Sequence, residues 1–200
     1  MANSNTQGFG LIAAGTLGST PATSGQGKYY IDENYGTTIY SGGQVSSAAG
    51  YVTEGQQTAD NPTLGVLNGI FYNAATTLKP TWANWYNQPI TPANSENITC
   101  FVLDNPFQLF VGSMSALAAQ AVYGKTLGLT VTAAGSEING QSSSTLTVGT
   151  VSATANQWRL IRTAEDPENK DLTAAYTSVV VAHNLNQYLQ NTGTAGITWQ

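Results

Sequence analysis

A nucleophilic hydrolase needs a general base, and this chain of 200 residues holds one imidazole, His183, and one thiol, Cys100. A Cys–His couple would set a thiolate as nucleophile beside an imidazole as proton acceptor. His183 lies inside the apolar run SVVVAHNL, residues 178–185, and no GxSxG motif marks a serine nucleophile. Within such a strand the histidine reads as a structural one. Cys100 sits in ITCFVL and reads as a small buried hydrophobe; alone in the chain, it can form no intramolecular disulfide. Glycoside hydrolysis would need two carboxylates across a cleft, and none of the eleven acids is marked for that role by its neighbours.

Metal chemistry has no better footing. CxxC and HExxH are absent, and the acidic run Glu165, Asp166 and Glu168 lacks the glycine and spacing of a calcium loop, so an adventitious divalent ion is the most it would hold. GQGKYY, residues 25–30, has phosphate-loop glycines but leads into a strand instead of opening a helix. It reads as a turn. Asn97, Ile98 and Thr99 form a glycosylation sequon without a secretory signal ahead of it. The expectation is a non-enzyme with no catalytic residue, no cofactor and no metal.

Charged residues make up 8% of the chain, against about 25% in ordinary soluble proteins. Hydrophobic residues reach 41%, so the composition is that of a folded chain with an uncharged polar surface of Ser, Thr, Asn, Gln and Gly. Such surfaces suit packed, permanent assemblies. The six basic residues are scattered and the net charge is −5, which argues against a nucleic-acid partner. No apolar run approaches the ~18 residues of a membrane span, and the start MANSNTQGFG lacks the basic and apolar stretches of a signal peptide. The chain reads as soluble and made in the cytoplasm.

The elements follow from one stretch, residues 98–111, ITCFVLDNPFQLFV. Two runs rich in β-branched and aromatic residues flank Asp104, Asn105 and Pro106, so the pattern is strand, turn, strand, read as a hairpin with side chains buried on both faces. Around it, short strands at 28–31, 37–40, 44–45 and 51–53 are punctuated by glycines. Residues 64–72, LGVLNGIFY, form an apolar run broken by Asn68 and Gly69, which predicts either a tight hairpin or a bulge. Residues 78–97 are the longest loop candidate, with Trp82, Trp85 and Tyr86 inside it. Those rings can stack on sugars or bases, but the reading preferred here is that they staple the loop to the core or to a subunit interface.

Residues 113–123, SMSALAAQAVY, are Ala-rich with serines in front and Gly124 behind, and predict one short helix. Thr- and Val-rich strands fill 126–151 with a turn at Asn139 and Gly140, QWRLIR at 157–162 alternates as a strand, 163–176 is an exposed charged loop, and 178–185 is the closing strand. The fold class predicted is all-β: a single sandwich or barrel-like domain of short antiparallel strands over 28–190. Residues 1–27 precede it as an extended arm or a disordered terminus, with an apolar island at Phe9, Leu11 and Ile12. Residues 191–200 follow as a tail carrying Ile197 and Trp199.

Several segments, taken in order, resemble a family of small virion proteins of tailed bacteriophages, the capsid decoration or cement proteins. The start MANSNTQGFGLI is similar to the family's Met-Ala-Asn followed by Phe-Gly-Leu, although Ile12 and Ala13 stand where members commonly have Arg and Pro. KPTWANWY followed by NITCFVLDNPFQLFV resembles the family's Lys-Pro loop and its strand, Asp-Asn-Pro, strand core, and RLIRTAEDPENKDLTAAYTSVVVAHNLNQY resembles its closing segment. Residues 113–157 match only in being rich in strands, Gly and Thr. The resemblance implies a structural protein on the outer surface of an icosahedral head, with the major capsid protein as partner and homo-oligomers, trimers ahead of dimers. Phe9, Leu11, Ile12, Trp82, Trp85, Tyr86, Ile197 and Trp199 are the capsid-contact candidates. The alternative is a phage head or tail module that grips host surface glycans through Trp82, Trp85 and Tyr86.

Overall fold

Twelve strands carry the chain in a computed structural model that describes residues 3–18, 25–56, 61–117, 119–130, 135–152 and 156–189. They are β1 (Ile12–Thr16), β2 (Gly27–Ile31), β3 (Gln44–Ala48), β4 (Tyr51–Glu54), β5 (Gly65–Asn73), β6 (Pro80–Ala83), β7 (Ile98–Leu103), β8 (Gln108–Ser113), β9 (Thr126–Leu129), β10 (Leu146–Ser152), β11 (Trp158–Thr163) and β12 (Ser178–His183). The first sheet runs β1-β8-β12-β11-β9-β10, and the second runs β2-β7-β5-β3-β4 with β6 added on β5. Pairing between the named strands is antiparallel. The all-β, sandwich-like class read from the sequence is the fold found.

The stretch 98–111 does not close on itself as a hairpin. β7 lies between β2 and β5 in the second sheet, whereas β8 lies between β1 and β12 in the first. Asn105 Oδ1 accepts from Phe107 N at 2.9 Å and Gln108 N donates to Asn105 O at 3.0 Å, so the turn is a corner that moves the chain from one sheet to the other. Tyr29 on β2 donates its hydroxyl to Asp104 Oδ2 at 2.6 Å and pins that corner. Each strand sits centrally in its own sheet, but the burial expected on both faces is not found: Cys100, Val102 and Phe110 are buried, whereas Thr99, Phe101, Leu109 and Val111 on the opposite faces are half-buried because no second layer covers them fully.

Two hydrophobic clusters result. One gathers Phe110, Leu127, Trp158, Leu160, Val179 and Val181 from the first sheet with Leu11, Val66 and Leu103. The other gathers Ile31, Ile39, Val45, Ile70, Tyr86, Ile98 and Cys100 from within the second, whose end strands β2 and β4 approach each other as the sheet curls. Successive strand residues point to opposite faces, so Leu67 and Val102 enter the second cluster while their neighbours Val66 and Leu103 reach the first. Asn68 and Gly69 resolve as a bulge: the β5–β7 register shifts between Leu67 and Gly69 while β5 continues to Asn73.

Two further expectations change. The helix over 113–123 does not form; β8 extends through Ser113, and Gln120–Val122 makes one 3-10 turn. Met114 N donates to Thr177 O and Met114 O accepts from Tyr176 N, each at 2.9 Å, so sheet pairing overrides the helix propensity of the alanines. Residues 3–18, expected ahead of the domain as an arm, are packed onto it. β1 is an edge strand on β8, with Ile12 opposite Val111. Before it, Asn3 Nδ2 donates to Ala175 O at 2.9 Å and Asp171 O at 3.1 Å, Asn3 Oδ1 accepts from Asp171 N at 3.1 Å, and Asn5 N donates to Asn169 Oδ1 at 2.7 Å. The charged loop that receives these bonds is thereby partly covered.

Candidate functional site

The chemistry-bearing residues lie apart. Cys100 is in the second cluster, and burial pushes its thiol up to about 12, far from a reactive thiolate. His183 ends β12 in the first sheet, its ring 4.5 Å from that of Trp158 and 5.6 Å from that of Phe110. Burial pushes its imidazole down to about 3, and its enclosed Nε2 finds no hydrogen-bond partner among the described residues. The ring is a neutral packing element at neutral pH. Asp166 turns its carboxylate onto its own loop, accepting from Glu168 N at 3.1 Å and Asn169 Nδ2 at 2.7 Å. Among the described residues no three His, Cys, Asp or Glu side chains come together as a metal set, and no helix is long and apolar enough to cross a membrane.

The contact candidates separate into three environments. Leu11 is a core residue of the first cluster, where its Cδ2 would meet a Cβ added at Gly112 at 2.9 Å. Phe9 is half-buried, and with Leu11 and Ile12 it lines a cleft of about 380 Å³ rimmed by the amides of Asn68, Asn84 and Gln141. Ile12 keeps 50% of its surface exposed on the edge strand. Past the far end of β1, Leu17 N–H donates to Phe107 O at 2.8 Å, and both of those side chains are exposed too. Exposed apolar side chains thus stand at both ends of the edge strand, Ile12 opposite Val111 at one end and Leu17 with Phe107 at the other.

Tyr86 and Trp85 staple their segment to the protein's own body. Tyr86 is wholly buried, exchanges backbone hydrogen bonds with Ile39 at 2.8 and 3.0 Å, and donates its hydroxyl to Tyr35 O at 2.5 Å. Trp85 stacks on Tyr40 with ring centroids 4.9 Å apart and planes 8° from parallel. Gly140 lies beneath it: a Cβ there would sit 2.1 Å from Trp85 Cδ1, and at φ +70° the position favours glycine in any case. Trp82 belongs to neither arrangement. It stands on β6 as a strand residue, paired with Phe71 and largely exposed. The three rings therefore do not form one grip. Ile197 and Trp199 lie outside the described residues.

Residues that the sequence did not single out complete the exposed surface around Trp82. Tyr30, Phe71 and Phe101 alternate with core positions along β2, β5 and β7, a period-2 signal present in KYYI and ITCFVL, but their common face depends on strand order. No protein-family model, no curated protein and no solved structure matches this chain.

Proposed function

We propose that this chain is a structural virion protein of the decoration or cement type, which binds the outside of an icosahedral phage head and stabilises contacts between major capsid subunits. The observation that carries the reading is the apolar edge of the first sheet, where Ile12 at one end of β1 and Leu17 with Phe107 at the other are 50%, 38% and 49% exposed on a surface otherwise poor in charge. β1 is the end strand of its sheet, the position at which a neighbouring subunit extends a sheet. Burial of this edge would contribute about 25 cal/mol per Å² before ordering costs. The partner is the major capsid protein, and the copies cluster as trimers, with dimers as the second arrangement. Neither nucleic acid nor membrane takes part, and the protein, made in the host cytoplasm, resides on the outer surface of the capsid.

The N-terminal segment cannot simply be removed to test this, because Leu11 belongs to the core. The test is the double variant Ile12→Asp, Phe107→Asp, sedimented with heads stripped of the protein. Occupancy falls at least about tenfold, a loss of ~1.4 kcal/mol, while the far-ultraviolet spectrum and melting temperature are retained. Unchanged occupancy, or a particle reconstruction that leaves this edge facing solvent, would overturn the reading.

A further inference from the structure

The outer face of the second sheet carries aromatic side chains that neither cluster uses. The register places Phe101 beside Lys28 and Gly69, Thr99 beside Tyr30 and Phe71, and Phe71 beside Trp82. Trp82, Phe71, Phe101 and Tyr30 therefore share one surface across four neighbouring strands, about 14 Å wide at ~4.8 Å per step.

Gly69 keeps this surface flat. A Cβ there would lie 2.5 Å from Trp82 Cζ2 and 2.9 Å from Cη2, so the six-membered ring of the indole occupies the place a side chain would take. Phe101 flanks it with ring centroids 5.2 Å apart and planes at 41°. The indole is held from beneath and from one side while 55% of the residue stays open, so little ordering remains to be done when a ligand arrives.

We propose that this face binds neutral pyranose oligosaccharides, with Trp82 as the stacking platform. Three properties select that class. Of the side chains on the face only Lys28 is charged, its Nζ 5.6 Å from the Tyr30 ring centroid, and the chain's net charge of −5 disfavours a polyanion. Trp82, Phe71 and Tyr30 are 55%, 38% and 44% exposed, so ring faces stand open to a ligand side by side on the sheet. The rim is amide and hydroxyl: exposed Asn68 at the bulge, its Nδ2 donating to Gln26 Oε1 at 2.9 Å, and Thr99 between the rings. A pyranose matches this set, having one face of C–H groups to lie on an aromatic ring and peripheral hydroxyls to bond to amides.

The site is independent of the head-binding edge, and the experiment keeps the two apart. Full-length protein labelled with ¹⁵N at tryptophan is titrated with cellohexaose, maltohexaose and chitohexaose up to about 10 mM, a range suited to contacts of ~4 kcal/mol or less. The Trp82 indole resonance shifts saturably with at least one of them while those of Trp85 and Trp158 hold still, and Phe71→Ala weakens the response about tenfold, ~1.4 kcal/mol. The heat of binding of the same sugar, read by calorimetry, is abolished in Trp82→Ala and equally in Trp82→Leu, which keeps an apolar cover over Gly69 without a ring face, in a fold verified by circular dichroism. A Trp82 resonance unmoved by all three sugars overturns the proposal, as does a stronger response to a thymidine oligonucleotide. Loss of head occupancy in Trp82→Leu also overturns it, since the face would then be a protein contact.

Discussion

Trp158 Nε1 donates to Gln44 Oε1 across 2.8 Å, joining the first sheet to the second inside the protein. Both side chains are wholly buried, and Gln44 Nε2 donates to Gln56 O at 3.0 Å, which fixes which way the amide faces. A bond of this kind adds about 1 kcal/mol net, but leaving the indole N–H unpaired in the core costs about 1–3 kcal/mol. Gln44→Leu therefore lowers unfolding stability in guanidinium by that amount. Trp158→Phe costs more, because the indole also packs edge-on against Phe110 at 5.4 Å. The double variant loses less than the sum of the two singles; strict additivity would mean that the two residues are not coupled.

Leu11 decides whether the N-terminal segment is an appendage or a part of the fold. It is buried among Val66, Leu103, Phe110 and Leu146, over a hundred residues distant in sequence for the latter pair's far member. Leu11→Ala then costs about 2–5 kcal/mol, the range for truncating a core leucine. Asn3→Ala, which removes an amide bonded to the 171–177 loop, costs about 1 kcal/mol and speeds hydrogen exchange at the first residues. If Leu11→Ala unfolded at the same denaturant concentration as the parent, the segment would be a loosely held arm.

These residues also show where the sequence was legible. The runs 98–103, 107–111, 157–162 and 178–185 stood out because β-branched and aromatic side chains repeat there and central strands have little freedom to be anything else. IAAGT, which becomes β1, carries no such signal; it is a strand because β8 has an open edge for it. The 113–123 segment failed in the opposite way, its local preference for helix outweighed by pairing partners at Leu146 and Thr177. Pairing across such separations leaves no local trace, so residues 98–111 read as a hairpin although their two strands belong to different sheets. For the same reason the sequence grouped Trp82 with Trp85 and Tyr86, its neighbours in the chain, instead of with Phe71 and Phe101, its neighbours on the sheet.

His183 and Glu54 make stability depend on pH in opposite senses. The imidazole of His183 is held down to about 3 by burial, whereas an unfolded histidine titrates near ~6.5. As pH falls below that value the unfolded chain binds a proton that the folded one refuses, so the histidine's contribution is complete above ~6.5 and drains away toward 3. Glu54, on the end strand β4, is pushed up to about 7 by burial. Here the folded chain binds the proton first, so the contribution is complete below ~4.3, the unfolded value, and is lost as pH rises through 7. Between those limits the two partly cancel, which flattens the parent's melting profile. Glu54→Gln removes the alkaline loss: its melting temperature exceeds the parent's near pH ~8, and the advantage shrinks as the pH approaches ~4.3. His183→Leu removes the acid loss, so its melting temperature gains on the parent's as pH falls from ~6.5 toward 3. Melting scans of the three proteins across this range test both, and a Glu54→Gln profile running parallel to the parent would show that the Glu54 carboxyl is not desolvated in the folded protein.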